Sequence, residues 1–466
     1  VGADARFDLP AGLHLGAAPQ LRFADGSTWS TNSAGPSTLS VAAPERFGFL
    51  GPGSGGPLVV QDTTLAPPLG AALTLAGATL TLERAQLSTA GADLRLQATG
   101  TLQLGDRSSV DASGLGGDAG RLWIEAGELD AGAGAMLSAW QYGNAGGDGG
   151  GAGATLDVAG TLTLAGGAAI ASYTLGSGPA GALTVRAGQV LVTGEGSAGP
   201  SSISSFGQSG PSGAVRVTAD TITLVDGGRI GSSHRSGGTP GAVQLQARVI
   251  DVDGQGKPTT LGSLSSGSGP AGAVSVQAGE RLRLRDGGQI FGSTLGDTDA
   301  GSVSVGSPLV ELQGGGAVTG IFAGALGRGR GGAIVLDAAQ LTLTDGARIS
   351  TTTNSDTGSA GRVTVTADRI VIDGGGRATG IDSFAYGDAG DAGQVQVLAR
   401  EQLLLRRGGT ITAGTLGRGS PGTIDVQAGT LQLDGRGAAG SFTGIAGDAL
   451  FGGTGAAVTV QATQLT

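Results

Sequence analysis

The sequence predicts an all-β chain wound as a right-handed parallel β-helix, a solenoid with about three short strands per coil. Three observations predict it. A unit of about 30 residues recurs, apolar and polar residues alternate inside it, and glycine punctuates it.

The unit is clearest as Gly-x-apolar-polar-apolar-x-Ala. It stands at Gly120–Ala126, Gly181–Ala187, Gly213–Ala219, Gly241–Ala247, Gly272–Ala278, Gly332–Ala338, Gly361–Ala367, Gly393–Ala399 and Gly422–Ala428. Looser copies surround Leu156, Val303 and Val458. The first apolar residue falls at Leu122, Leu156, Leu183, Val215, Val243, Val274, Val303, Ile334, Val363, Val395, Ile424 and Val458. The successive spacings are 34, 27, 32, 28, 31, 29, 31, 29, 32, 29 and 34. Long and short units alternate, which makes a double repeat of about 60 residues. Units of this length are shorter than the ~40–45 residues of a propeller blade.

Period two is a strand signature. Of the residues between the first two apolar positions, all but Trp123 and Val335 are polar or charged. One face therefore turns inward and the other meets solvent. A second apolar run and a turn follow, then a third strand centred on isoleucine. Examples are Ile222–Ile230, Leu282–Ile290 and Leu341–Ile349 in short units, and Val310–Ile321 and Ile370–Ile381 in long ones. One coil cannot bury its own apolar side chains, so equivalent strands must stack in parallel. The crossover preference makes the winding right-handed. Glycine is expected to supply positive φ at the corners. Residues 27–70, rich in Pro, Gly and Ser, are expected to loop over the first coils. Two regions are expected: 1–115, with loops and shorter intervals, and 116–466, the regular repeats.

The chain has 466 residues, 95 of them glycine, and only 14% charged residues. Clustered Val, Ile, Leu and Thr argue against disorder despite the glycine. The net charge of −10 argues against nucleic acid, which calls for a basic footprint. Absence of cysteine fits export through an oxidising compartment. No apolar stretch approaches the ~18 residues of a membrane helix. The chain opens at Val1 without a signal-peptide pattern, as expected of a processed or excised piece. It stops at Thr466 inside a coil, so the native polypeptide is expected to continue.

Leu21–Ser30 (LRFADGSTWS), Leu39–Gly51 and Thr79–Leu96 together resemble the haemagglutination-activity, or secretion, domain of two-partner secretion exoproteins. The tandem units, such as Asp286–Gly296 followed by Gly301–Val305, look like those of large filamentous-haemagglutinin-type exoproteins. The resemblance implies a bacterial adhesin passenger, secreted or held at the cell surface. It implies an outer-membrane β-barrel transporter as export partner, and host or neighbouring-cell glycans or proteins as targets. The family's Asn-Pro-Asn motifs are absent here, as expected of a chain that starts just after the second one.

The sequence assigns no catalytic, cofactor-binding or metal-binding residue. The rival reading is a polysaccharide-active enzyme on the same fold; a spacer stalk for a downstream toxin or adhesive tip is another. Enzymatic cleavage needs clustered carboxylates with a basic residue. Asp226, Asp286, Asp345, Asp373 and Asp434 read instead as turn residues. Glu125 and Glu128 are expected on opposite faces, and Asp251 and Asp253 as outward charge. Asp118 and Asp148, in glycine-rich stretches, read as loops. His14 and His234 lie far apart, too few for a zinc site. Met136 and Tyr142 read as packing or surface residues rather than haem ligands. Arg328 and Arg330 read as solvated turn residues, with contact to an anionic glycan as the alternative. Trp123 is expected outward, either packed under a loop or offering a stacking platform for a sugar. Trp140 stands beside it among the few aromatics.

Overall fold

The computed structural model is a parallel β-solenoid of about 12 turns, 61% strand, with no helix among the described residues. It describes all residues except 4, 6, 8–10, 32–40, 43, 50–53, 115–118, 143–152, 197–198, 439 and 450–454. Asp118 and Asp148 lie outside the described residues.

Each regular coil holds two strands where three were expected. The first two expected strands run together as one long strand, as in Val215–Val225, Val243–Asp253 and Val274–Arg285. The third is a separate short strand, as in Arg229–His234, Thr259–Ser265 and Gly288–Thr294. A corner divides the long strand into two arms. Val215 and Val217 point inward before it, Ile222 and Leu224 after it, so the inward parity flips between them. Where neighbouring coils differ in length at the corner the ladder also shifts register, as between Ala247 and Val249, whereas the ladder from Val215–Val225 to Val243–Asp253 passes the flip without a shift. In the early coils the arms are still separate. Leu73–Gly77 and Thr79–Glu83 pair with Leu94–Ala98 and Leu102–Leu104 of a single strand.

The parity flip corrects the expectation for Glu125 and Glu128. Ile124, Ala126 and Leu129 turn inward, and both glutamates therefore face outward on different arms. The register also corrects one repeat anchor. Leu122 pairs with Ala154, and Leu156 with Ile124 and Val185. The small Ala154 takes the first inward position, which hid it from an apolar count. Spacings around it become 32 and 29, matching the alternation elsewhere.

Both ladders are parallel, and one aliphatic interior runs through them. Val215 and Val274 are fully buried, as are Ile230, Ile290, Ile349 and Ile381 of the short strands. Such side chains each contribute about 1.5–3 kcal/mol on leaving water.

Glycine serves two purposes where one was expected. Positive φ occurs in the tight turn between arm and short strand, at Gly227, Gly287, Gly346 and Gly408. The preceding Asp226, Asp286 and Asp345 are left-handed too, which aspartate tolerates better than most residues. The glycine that opens each repeat does something else. A Cβ at Gly332 would lie 2.0 Å from the carbonyl oxygen of Gly301, and one at Gly361 1.8 Å from that of Gly332. Side chains are excluded there because consecutive coils stack backbone on backbone.

The double repeat has a physical basis in the same tight turn. In the short coils Gly227, Gly287, Gly346 and Gly408 donate their N–H groups to Thr259, Thr319, Thr379 and Thr443 of the next, longer coil, at 2.7–2.8 Å. Gly167 donates likewise to Ser201 at 3.0 Å. The longer coil's extra turn residues position the hydroxyl that satisfies its neighbour's amide.

The N-terminal stretch departs from the expectation of loops. Gln20–Phe23 pairs antiparallel with Thr28–Ser30 and Pro44–Gly48, a small sheet apart from the coils. Pro57–Gln61 and Thr64–Leu65 are already coil strands. Proline is compatible with strand there because it occupies the first position. At the other end, Ala457–Leu465 pairs on one side with Thr423–Asp434 and its side chains are exposed.

Candidate functional site

The corner between the two arms is re-entrant on the outside of the rod. It forms a shallow furrow, one stretch of which, about 620 Å³, crosses four coils. At the bend it is lined by Ala98, Ala126, Val158 and Ala187, and beside them by the outward Gln97, Glu125, Asp157 and Arg186. The register aligns these four, Gln97 with Glu125, Glu125 with Asp157 and Asp157 with Arg186. Small residues recur at the corner because larger ones would crowd the bend between stacked strands. Equivalent grooves continue along the rod, as at Thr218–Glu280 and Leu398–Thr463.

Charges in this stretch are paired. Arg95 Nη2 lies 2.8 Å from Glu125 Oε1, and Arg186 Nη1 lies 3.2 Å from Asp157 Oδ1. Trp123 stands one outward position from Glu125 and is 41% exposed. The group over its ring is the guanidinium of Arg95, 5.6 Å from the centroid. On the other side the register places Thr155, a short side chain.

The outer side of the short strands carries an aromatic strip. Trp140, Tyr173 and Phe206 occupy matching positions in successive coils. Their rings stack at 4.9 and 4.8 Å with interplanar angles of 25° and 20°. Tyr142 tilts against Trp140 at 5.7 Å and is 40% exposed. Burial first, then the nearby Asp111 carboxylate and Tyr173, pushes the Tyr142 phenol above its usual range. The stacked faces are turned to one another, so the strip fastens coils together and offers mainly edges to solvent.

Further along, Asp382 is buried on the outer side of its short strand. Its carboxylate accepts hydrogen bonds from Arg348 Nε at 3.1 Å and Ser350 Oγ at 2.6 Å. Burial pushes the Asp382 carboxyl up, against the pull of Arg348 and Ser350. This is one carboxylate held by two donors, whereas glycoside cleavage by acid and base generally uses two.

Of the residues singled out in sequence, Asp226, Asp286 and Asp345 sit in the tight turns, and Asp434 caps the amide of Arg436 at 3.1 Å. Asp373 is different. It ends the long strand Val363–Asp373, is buried, and holds both Arg406 and Arg407 while accepting from Gly375 N–H. The Arg407 hydrogen bond leads the groups that lower its carboxyl below the usual range. Asp251 and Asp253 pair with Arg283 and Arg285 of the next coil. Arg328 and Arg330 are exposed, their amides capped by Asp297 and Asp299 of the preceding coil. His14 is exposed, whereas His234 is buried among the short strands with neither ring nitrogen hydrogen-bonded. Among the described residues no three His, Cys, Asp or Glu side chains gather as a metal site would require.

Sequence reading missed the furrow, the Arg95–Trp123 contact and the aromatic strip. The strip had a signal: Trp140, Tyr173 and Phe206 lie 33 residues apart, one coil each. The furrow had none, since alanine and glycine at a corner look the same whether the outside is convex or concave.

Compared with protein-family models, with curated proteins and with solved structures, the chain matches none.

Proposed function

We propose that this chain is a rod-like binding module from the secreted passenger of a bacterial surface adhesin of filamentous-haemagglutinin type. Its export partner in this reading is an outer-membrane β-barrel transporter, and it acts by contact rather than catalysis. The observation that carries the reading is the unbroken parallel stack. Successive coils repeat the same strand faces in register, so the molecule offers long faces to another surface, with many weak contacts along its length. The secretion-domain resemblance at Leu21–Ser30 and Thr79–Leu96 supports the export route. No helix among the described residues is long and apolar enough to cross a membrane.

The test is saturable attachment of the labelled, purified chain to bacterial and epithelial cell surfaces, with reducing ends assayed on a polysaccharide panel. Attachment without release of reducing ends is expected. Failure to attach to either surface, or catalytic release of sugar ends, would overturn the proposal.

A further inference from the structure

We infer that the furrow beside Trp123 is a binding site for a neutral oligosaccharide, lying against the free indole face and along the row Gln97, Glu125, Asp157 and Arg186. The inference rests on the binding reading above and names its ligand class and place.

Trp123 is the first reason. Its outward position is filled in the following coils by Thr155, Thr184 and Arg216, so the fold does not require an aromatic there. Trp123 is 41% exposed on its strand face and stands one outward position from Glu125 of the row. Arg95 covers one face of the ring and fixes it, while the side toward Thr155 carries only a short side chain. A fixed, half-open indole suits the C–H face of a sugar ring.

The second reason is the chemistry of the row. Glu125 and Asp157 each already have a guanidinium partner, Arg95 and Arg186. The stretch therefore offers donors and acceptors in plenty but no unbalanced charge. A sulfated or otherwise anionic chain would meet two carboxylates, and a polycation two guanidiniums. A ligand rich in hydroxyls and without charge satisfies both kinds of group, because each hydroxyl donates and accepts. The third reason is shape. The furrow is open along the rod and about 620 Å³ in this stretch, which suits a chain laid lengthwise. By contrast, the strip at Trp140, Tyr173 and Phe206 uses its ring faces internally.

The test uses the whole chain and four uncharged hexasaccharides, β-1,4-glucan, β-1,3-glucan, chitin type and mannan type, with a heparin hexasaccharide as the anionic arm. Binding is read by calorimetry and by quenching of tryptophan fluorescence. At least one neutral hexasaccharide is expected to bind. Trp123→Thr, which installs the residue the next coil carries, is expected to weaken it at least tenfold. Gln97→Ala is expected to weaken it several-fold, and Trp140→Phe to leave it unchanged. Circular dichroism and Tm check that the variants fold. Binding of heparin alone, no binding of any neutral hexasaccharide, or neutral binding indifferent to Trp123→Thr in a folded variant would each overturn the site. Cell attachment persisting in any of those cases would leave the broader binding role standing.

Discussion

Two columns of inward residues run the length of the rod, and they are built on different chemistry. Beside the bend of the long strand, and at the start of the short one, the column is aliphatic: Val274, Val276, Leu282, Leu284 and Ile290 in one coil. Toward the end of the short strand it turns polar. Ser205, Ser232, Ser263, Thr351 and Ser383 are all buried there. They bond the glycine-rich corner that opens the next long strand. Ser205 accepts from Gly213 N–H at 2.7 Å, Ser263 from Gly272 N–H at 2.8 Å, and Ser383 from Gly393 N–H at 2.9 Å. The aliphatic column removes area from water. The hydroxyl column answers backbone groups that close stacking of the corner glycines has cut off from solvent. A solenoid needs both, because its corners are as buried as its faces.

The comparison can be broken first on its aliphatic side. Leu282→Ala should cost about 2–5 kcal/mol in urea unfolding, since the stacked coils leave the cavity little room to collapse. A loss below about 1 kcal/mol would mean that the column adapts more freely than a packed interior does.

The buried hydroxyls of the tight turn, which like the polar column answer backbone amides, should yield less, and for a different reason. Thr319→Val keeps the shape but leaves Gly287 N–H unanswered, costing about 1–3 kcal/mol. Thr319→Ser should restore most of that stability. If valine and serine behaved alike, shape and not the hydrogen bond would explain the double repeat.

The smallest effect sharpens the comparison at its odd member. His234 shares the polar column, and burial lowers its imidazole pKa from the usual 6.5. The unfolded chain takes up the proton as pH falls through about 6.5, while the folded ring resists it. Stability from this group is therefore complete above that value and declines as pH falls toward the lower, folded pKa. His14 shifts in the same direction, so the difference between parent and variant isolates His234. His234→Ser, matching Ser265 in the next coil, should flatten Tm against pH below neutrality. An unchanged slope would place the pH response elsewhere.

Much of the fold was legible because a repeat reports on itself. Val215, Val243 and Val274 recur at one position, and only parallel stacking gives each the same neighbour. What escaped reading concerned the corners. Ala154 does not stand out in an apolar pattern because alanine is small, and alternation alone places Glu125 and Glu128 on opposite faces because it does not register that the bend between the arms reverses inward and outward. The furrow followed them into obscurity, since its floor is that same bend. Trp123 was correctly expected outward, but Arg95 above it lies one coil away in sequence.

The sequence by itself determined the length of a coil, the direction of stacking and which residues of the first arm face inward in most coils. Those depend on periods of two and about thirty, and a period is written in the order of residues. Only the tertiary structure decided that two strands fuse into one, that the outside of the corner is concave, and that Trp123 lies under Arg95 and is 41% exposed. Each of these depends on how far the backbone bends and on what the neighbouring coil brings to the same height. No local pattern in a single chain encodes those two quantities.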